Sequence, residues 1–185
     1  MFKVKTKSEF VTEYKAGVRN FQNIILTAVN LTGSNLEQIN LSGSNLIEVN
    51  WSNCNLNRAN LEGAYLGLSN FQNCCLSSVN FQQANLENAN LKGANLHRAN
   101  LKNACLTGAV YDSTTIFDPN FTPQTAGMIL TDTENSVSES LKNIGDNCAS
   151  ESPKNIGAMQ KIKSWYRSPF SSQNQARSKK TKTLY

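Results

Sequence analysis

The chain is predicted to fold as an all-β solenoid, a ribbon that turns a corner once every five residues. Three observations predict it. Counting from Phe21, every fifth residue up to Leu106 is Leu, Phe or Trp, eighteen in succession without a break. The residue two before each of these is small or β-branched, running Ile24, Val29, Ser34, Ile39, Ser44, Val49, Cys54, Ala59, Ala64 and on to Ala104. The residue closing each pentad is Gly or Asn in ten of eighteen cases. An α-helix repeats its apolar face about every 3.6 residues and a strand every second residue, so neither explains a frame of five held for about ninety residues. A fixed short period means stacked units that bury a shared core only by touching their neighbours.

Four segments follow in order along the 185 residues. Residues 1–18 are expected to form an N-terminal capping helix. Thr6 and Glu9 are placed as a capping box, Phe10, Val11 and Tyr14 make an apolar stripe over Thr6–Ala16, and Gly17 stands where a left-handed helix stop is wanted. A solenoid end exposes unpaired backbone, which such a lid would cover. Residues 19–110 are the repeat. Residues 111–130 leave the frame, with Pro119 and Pro123 breaking regularity and Thr122 to Gly127 suggesting one short helical turn, and are expected to be a C-terminal cap. Residues 131–185, rich in Ser, Asn, Lys, Thr and Gly, are expected to be a mostly disordered basic tail, because little apolar surface is there to offset the entropy of ordering.

Within a pentad, alternation of side-chain direction sends the large residue and the residue two before it to one side and the intervening residue to the other. The first two therefore point inward. The intervening residue is Asn in fourteen of eighteen pentads, and outward Asn is suited to hydrogen-bonding nearby turn backbone. Gly and Asn at the closing position accept the positive φ that a tight corner demands.

This pattern resembles the pentapeptide-repeat family, whose consensus of Ala, Asn or Asp, Leu and two variable residues appears as Ala84-Asn85-Leu86, Ala89-Asn90-Leu91, Ala94-Asn95-Leu96 and Ala99-Asn100-Leu101. The flanks Tyr14 to Phe21 and Tyr111 to Met128 are similar to the entry and exit segments of small cyanobacterial and other bacterial members. The resemblance implies a right-handed quadrilateral parallel β-helix with four pentads to a coil, hence about four and a half coils stacked at about 4.8 Å. In that frame the large residues stack in four columns: Phe21, Leu41, Leu61, Phe81 and Leu101; Leu26, Leu46, Leu66, Leu86 and Leu106; Leu31, Trp51, Phe71 and Leu91; Leu36, Leu56, Leu76 and Leu96. Trp51 is read as core packing, with an indole N–H that needs a partner.

Function is sought on the exterior, since the core does the same work in any protein of this fold. Three faces carry polar outward residues, among them Gln22, Ser42 and Glu62 on the first, Thr32 and Ser52 on the third, and Glu37, Asn57, Ser77 and His97 on the fourth. The second face differs: Ile25, Ile47, Tyr65, Leu68 and Cys105 lie there, and three of the four pentads lacking Asn fall on it. A contiguous apolar patch marks a contact surface. It is expected to dock a protein partner, a second copy or the chain's own termini, or else to be covered internally by the N-terminal helix or by Ile129–Leu130.

Catalysis finds little to work with. His97 is the sole histidine, and no nucleophile elbow, phosphate loop or paired metal ligands occur, so no enzyme, cofactor, metal site or small-molecule substrate is expected. Cys54 and Cys74 should stack inward as reduced core thiols, while Cys75 and Cys105 face outward and Cys148 lies in the tail. The start, Met1 to Lys7, alternates Lys with other residues and lacks an apolar h-region, which gives a cytoplasmic expectation.

Charge separates the remaining readings. Residues 20–110 carry four basic and four acidic groups, whereas residues 151–185 carry eight and one. Some proteins of the family are DNA mimics directed at type II topoisomerases through an acidic stack; the repeat here has no Asp and is neutral, which disfavours that reading. Nucleic acid or anionic membrane would be met through the tail alone, where Lys161, Lys163, Trp165 and Arg167 sit among Ile156, Met159 and Ile162 at roughly helical spacing. The expected function is a non-catalytic protein-interaction scaffold presenting a rigid surface.

Overall fold

The computed structural model describes residues 3–132. Its framework is a backbone ladder with a period of twenty residues. Of sixteen isolated parallel bridges, fifteen join a residue to the one twenty further on, from Asn20 with Asn40 to Asn90 with Val110. Four pentads therefore make one coil. Three N–H groups of each interior pentad donate out of the coil: Leu46 to the carbonyl of Tyr65 (2.8 Å), Glu48 to that of Gly67 (3.0 Å) and Asn45 back to that of Ile24 (2.9 Å). A further bond closes the corner, as where Cys54 N–H donates to the Trp51 carbonyl at 3.0 Å. Nearly every backbone polar group of an interior coil thus has a partner, which burial on this scale requires.

All eighteen pentad-closing residues, from Asn23 to Gly108, hold a positive φ. A left-handed third residue with a bond from the fourth residue to the first is the signature of a type II turn. Ten of these corners are Gly or Asn; the other eight, Ala28, Gln38, Glu48, Arg58, Leu68, Ser78, Gln83 and Arg98, sit at φ 54–60°. Each such side chain costs roughly 1–2 kcal/mol in this region and is held there because the bonds on either side over-determine the corner.

The large residues point inward as the spacing predicts. Leu46, Leu86, Trp51 and Phe81 are completely buried, and Trp51 stacks on Phe71 with ring centroids 6.1 Å apart and planes 6° from parallel. The indole N–H of Trp51, expected to find a partner, has none. Its column offers only rings and Leu side chains, so ring stacking wins over the lost hydrogen bond. Polar inward residues do better: Ser69 Oγ donates to the Leu46 carbonyl at 2.9 Å, Cys54 Sγ to that of Leu31 at 3.0 Å and Cys74 Sγ to that of Trp51 at 2.8 Å.

Outside, the Asn residues do what their position suggests. In each of the fourteen pentads that has one, from Asn20 to Asn100, the side-chain oxygen accepts the N–H of the residue two further on, as in Asn50 to Ser52 at 3.0 Å. Amides also join coil to coil: Asn100 donates to Asn80 at 3.0 Å and Asn80 to Asn60 at 3.1 Å on the first face, and Asn90 to Asn70 at 3.1 Å on the third.

The repeat is entered through strand β1 (Lys3–Val4) and helix α1 (Lys7–Lys15). β1 pairs in parallel with β2 (Ile24–Ile25), Val4 lying opposite Ile25. Thr6 and Glu9 form the reciprocal capping box, and Gly17 holds φ 96° just past the helix end. The helix packs against the first coil: Phe10 is completely buried with its ring 4.8 Å from that of Phe21, and the Tyr14 hydroxyl donates to the Glu37 carbonyl at 3.1 Å. Lys5, buried beside the Phe21 ring, is paired with Glu13.

At the other end β3 (Val110–Tyr111) pairs in parallel with β4 (Ile129–Leu130). One additional residue enters here, so that Asn95 bridges Ile116. The Asp112 carboxylate anchors the longer corner, accepting from the N–H groups of Gly93 (3.1 Å), Thr114 (3.0 Å) and Thr115 (3.0 Å). Pro123 to Gly127 make consecutive turns, and the rings of Tyr111, Phe117 and Phe121 pack in sequence at 5.6 and 5.1 Å. The tail residues Lys161, Lys163, Trp165 and Arg167, like Cys148, lie outside the described residues.

Corners on successive coils are matched. A Cβ added to Gly93 would collide with the side-chain oxygen of Asn73, and one added to Gly43 or Gly108 would meet Asn23 or Asn88, whereas Gly63 faces open space at nearly the same φ. Gly63→Ala should therefore lose about 1 kcal/mol of stability through backbone strain alone. Gly93→Ala should lose a similar amount, because the group in the way is the exposed end of the Asn73 side chain, which can turn aside, and adding Asn73→Gly should change this little. Urea unfolding of the three variants is the check.

Candidate functional site

The second face is built on the column Leu26, Leu46, Leu66, Leu86 and Leu106, all buried. Its outer rungs, linked by the backbone bridges, run Val4, Ile25, Asn45, Tyr65, Asn85 and Cys105. On the first face Asn20, Asn40, Asn60, Asn80 and Asn100 form an unbroken run, but here Val4 and Ile25 are both apolar and from Ile25 onward every second rung is apolar or Cys. At Ile25, Tyr65 and Cys105 there is no amide oxygen to receive the N–H of Thr27, Gly67 or Thr107, so this face gives up three local bonds that its neighbours keep.

Of the sequence-predicted residues, Tyr65 and Leu68 are the most open, at 51% and 58% exposure, Ile47 and Cys105 are exposed, and Ile25 is half-buried. Ile25, Ile47 and Tyr65 come together with Asn45 around a shallow groove of about 260 Å³. Leu68 adjoins it at the corner of the Tyr65 coil. Cys105 stands two coils beyond Tyr65, away from the groove. Val4, 72% exposed, extends the apolar strip at its lower edge. It was missed in the sequence because it lies outside the pentad frame; the alternation of Lys3, Val4 and Lys5 was the available sign of a strand.

Neither proposed internal cover lies over this face. α1 packs against the end of the first coil, and β4 pairs with β3 on the third face.

Charge marks the same face. Residues 24–28, 44–48, 64–68, 84–88 and 104–108 contain Glu48 and Glu87, both exposed, and no Lys or Arg. The first face has Arg19 and Lys102 against Glu62, the third has Lys92 alone, and the fourth has Arg58 and Arg98 against Glu37. The second is thus at −2 while each of the others is at +1.

The fourth face departs from expectation. Asn57, Cys75 and Ser77, expected outward and solvated, are buried. The amide oxygen of Asn57 accepts the Ser77 N–H at 2.8 Å, replacing the bond that Asn at position 75 would have supplied, and Cys75 is disulfide-bonded. Cys54, Cys74 and Cys105 are free. Burial holds the Cys74 thiol well above its ordinary value. His97 pairs with Asp118 at 3.1 Å, and Asp118 also accepts the Arg98 N–H at 2.9 Å. Among the described residues no cluster of His, Cys, Asp or Glu has the makings of a metal site, and no helix is long and apolar enough to cross a membrane.

A family model described as pentapeptide repeats, in eight copies, matches residues 24–50, 34–73 and 74–110. The solved pentapeptide repeat protein alr5209 of Nostoc PCC 7120 is 32% identical over 70% of this chain and 98% of its own (TM-score 0.28). The chain belongs to the pentapeptide repeat family. A second pentapeptide repeat protein, Rfr23 of Cyanothece 51142, is 32% identical over 64% of this chain and 84% of its own (TM-score 0.34). A third, AT2G44920 from the Arabidopsis thaliana thylakoid lumen, is 28% identical over 55% and 73% (TM-score 0.33). No curated protein matches. Membership of the pentapeptide repeat family implies a β-helix, in keeping with the twenty-residue ladder.

Two outcomes follow for this pentapeptide repeat protein. Leu68→Asn places at φ 60° a residue suited to it and removes no buried contact, so stability should rise by about 0.5–1 kcal/mol, read by thermal unfolding. Alkylation of the native protein should modify Cys105 and spare Cys54 and Cys74. Because Cys74 is harder to ionise folded than unfolded, the unfolded chain releases its proton first, and stability should fall as pH rises above about 8.5, a slope that Cys74→Ala removes.

Proposed function

We propose that this protein is a non-catalytic interaction scaffold whose rigid coils present the second face to a protein partner. The observation that carries the reading is the interruption of the outer Asn run at Ile25, Tyr65 and Cys105, on the face where Tyr65 and Leu68 stand half or more exposed. Within the repeat the exposed large apolar side chains, Ile47, Tyr65 and Leu68, gather on this face, while Ile129 and Leu130 are exposed on the third face in the C-terminal segment, and such a concentration is what a docking site needs. The right-handed winding implied by the family keeps that face straight and its rungs about 4.8 Å apart. In this reading α1 and residues 111–130 act as end caps, covering backbone edges that would otherwise template stacking of one molecule on another.

A DNA mimic is not supported by the charges. The second face holds two carboxylates and the other three faces are slightly positive, far from one charge per about 1.7 Å of duplex axis.

Tyr65→Asp separates docking from an internal packing role. A partner captured by the wild-type chain should be lost with the variant, or self-association seen by sedimentation should cease, while the melting temperature moves by no more than about 2 °C, because Tyr65 is half exposed. Loss of stability with association intact would show that the face is structural.

A further inference from the structure

We propose that the second face takes up a basic amphipathic helix of a protein partner. This rests on the reading of that face as a docking surface and names the structure and charge of what it docks. The apolar side chains zigzag along the stack. Ile25 and Tyr65 precede their buried Leu and stand on one side of the column, whereas Ile47 follows its Leu and stands on the other, on the coil between them. Coils lie about 4.8 Å apart, so the pattern changes side at each coil and returns to the first side after about 9.6 Å. The seam of an amphipathic helix has the same form: it changes side every three or four residues and returns after seven, about 10.5 Å along the axis. Inclining the helix by about 24° to the stack brings the two repeats into step. The groove of about 260 Å³ among Ile25, Asn45, Ile47 and Tyr65 is where one Leu or Met of that seam would seat. Glu87 ends the zigzag one coil beyond Tyr65, so the apolar contact is confined to the lower part of the face.

An extended peptide finds no ladder to join here. The backbone N–H groups along this side of the stack already donate to neighbouring coils, as Leu46 does to the Tyr65 carbonyl at 2.8 Å and Tyr65 to that of Ser44 at 2.9 Å, whereas strand addition needs an open edge. A helix satisfies its own backbone and asks only for side-chain surface, which is what the face presents.

Charge gives the helix its sign. Glu48 and Glu87 are exposed on the side of the zigzag that adjoins the third face, two coils apart, and no Lys or Arg lies on this face. Their separation along the stack, about 9.6 Å, is again one seven-residue repeat of the inclined helix, so two cations seven residues apart on one flank would meet both carboxylates. A second copy of the face would set carboxylates against carboxylates, and an anionic membrane or nucleic acid would be repelled by the same pair.

The test is fluorescence anisotropy on the full-length protein, without reductant, with three labelled synthetic peptides of about twenty-one residues, a length at which a helix can form in water. The first carries Leu at the two seam positions of each seven-residue repeat, Lys on one flank, and Ala and Gln elsewhere. The second holds the same residues rearranged so that Leu alternates with polar residues, and the third has Glu in place of Lys. The first should bind about tenfold or more tightly than either of the others. Its affinity should fall about fivefold or more with Tyr65→Asp and with Ile47→Asp, about threefold with Glu48→Gln/Glu87→Gln, and stay unchanged with Gln72→Asp, an exposed position on the third face. Raising ionic strength from about 50 to 500 mM should weaken binding to the wild-type chain and leave the double Gln variant little changed. Equal binding of the alternating or the acidic peptide, indifference to positions 47 and 65, or no binding by any peptide would overturn the assignment. In each of those cases the Tyr65→Asp association measurement on the protein's own partner or on self-association still decides separately whether the face docks anything.

Discussion

The whole fold depends on one local constraint: every fifth residue must take a left-handed φ. The corner lets the chain change direction after only three extended residues, and it places each backbone donor opposite a carbonyl of the next coil. Where Gly or Asn stands at the corner the conformation comes without much strain. Where Leu68, Glu48 or Arg58 stands there, the ladder bonds on both sides must hold it. No coil is stable by itself, because its donors and its inward side chains both find partners only in the coils above and below.

Much of this was written in the sequence. The eighteen large residues, the small residues two places earlier and the capping box at Thr6 and Glu9 each carry a periodic or local signature strong enough to read directly. What escaped was set by contacts that no period announces. Trp51 keeps an indole N–H without a partner because its column holds nothing polar, and Asn57 and Ser77 turn to each other because Cys75 leaves a gap in the Asn run. The eight corners lacking Gly or Asn were likewise invisible to a residue-type rule, since the ladder and not the residue imposes their φ.

The candidate face was legible only in part. Ile25, Ile47, Tyr65 and Leu68 could be placed together once twenty residues were assigned to a coil, because a fixed rise and a fixed corner convert position in the chain into position on a surface. Cys105 shares the face but not the groove, and Val4 joins it from outside the repeat through pairing with Ile25. Charge reinforces the assignment independently of hydrophobicity. The repeat is close to neutral as a whole, yet one of its faces is acidic while the other three are each slightly basic.

The amide of Asn73 resting over Gly93, repeated at Asn23 with Gly43 and Asn88 with Gly108, gives the stack a direction: in each pair the amide belongs to the earlier coil and the bare α-carbon to the later one. A stack in which each turn contacts only its neighbours could gain or lose a whole turn without changing the others, and the pairing restricts where such a splice would be harmless. A junction that carries both members of a pair together leaves the seam intact, whereas one falling between them sets an amide against a methyl. Where such a seam can fall is constrained by the amides that fill the space beside three glycines.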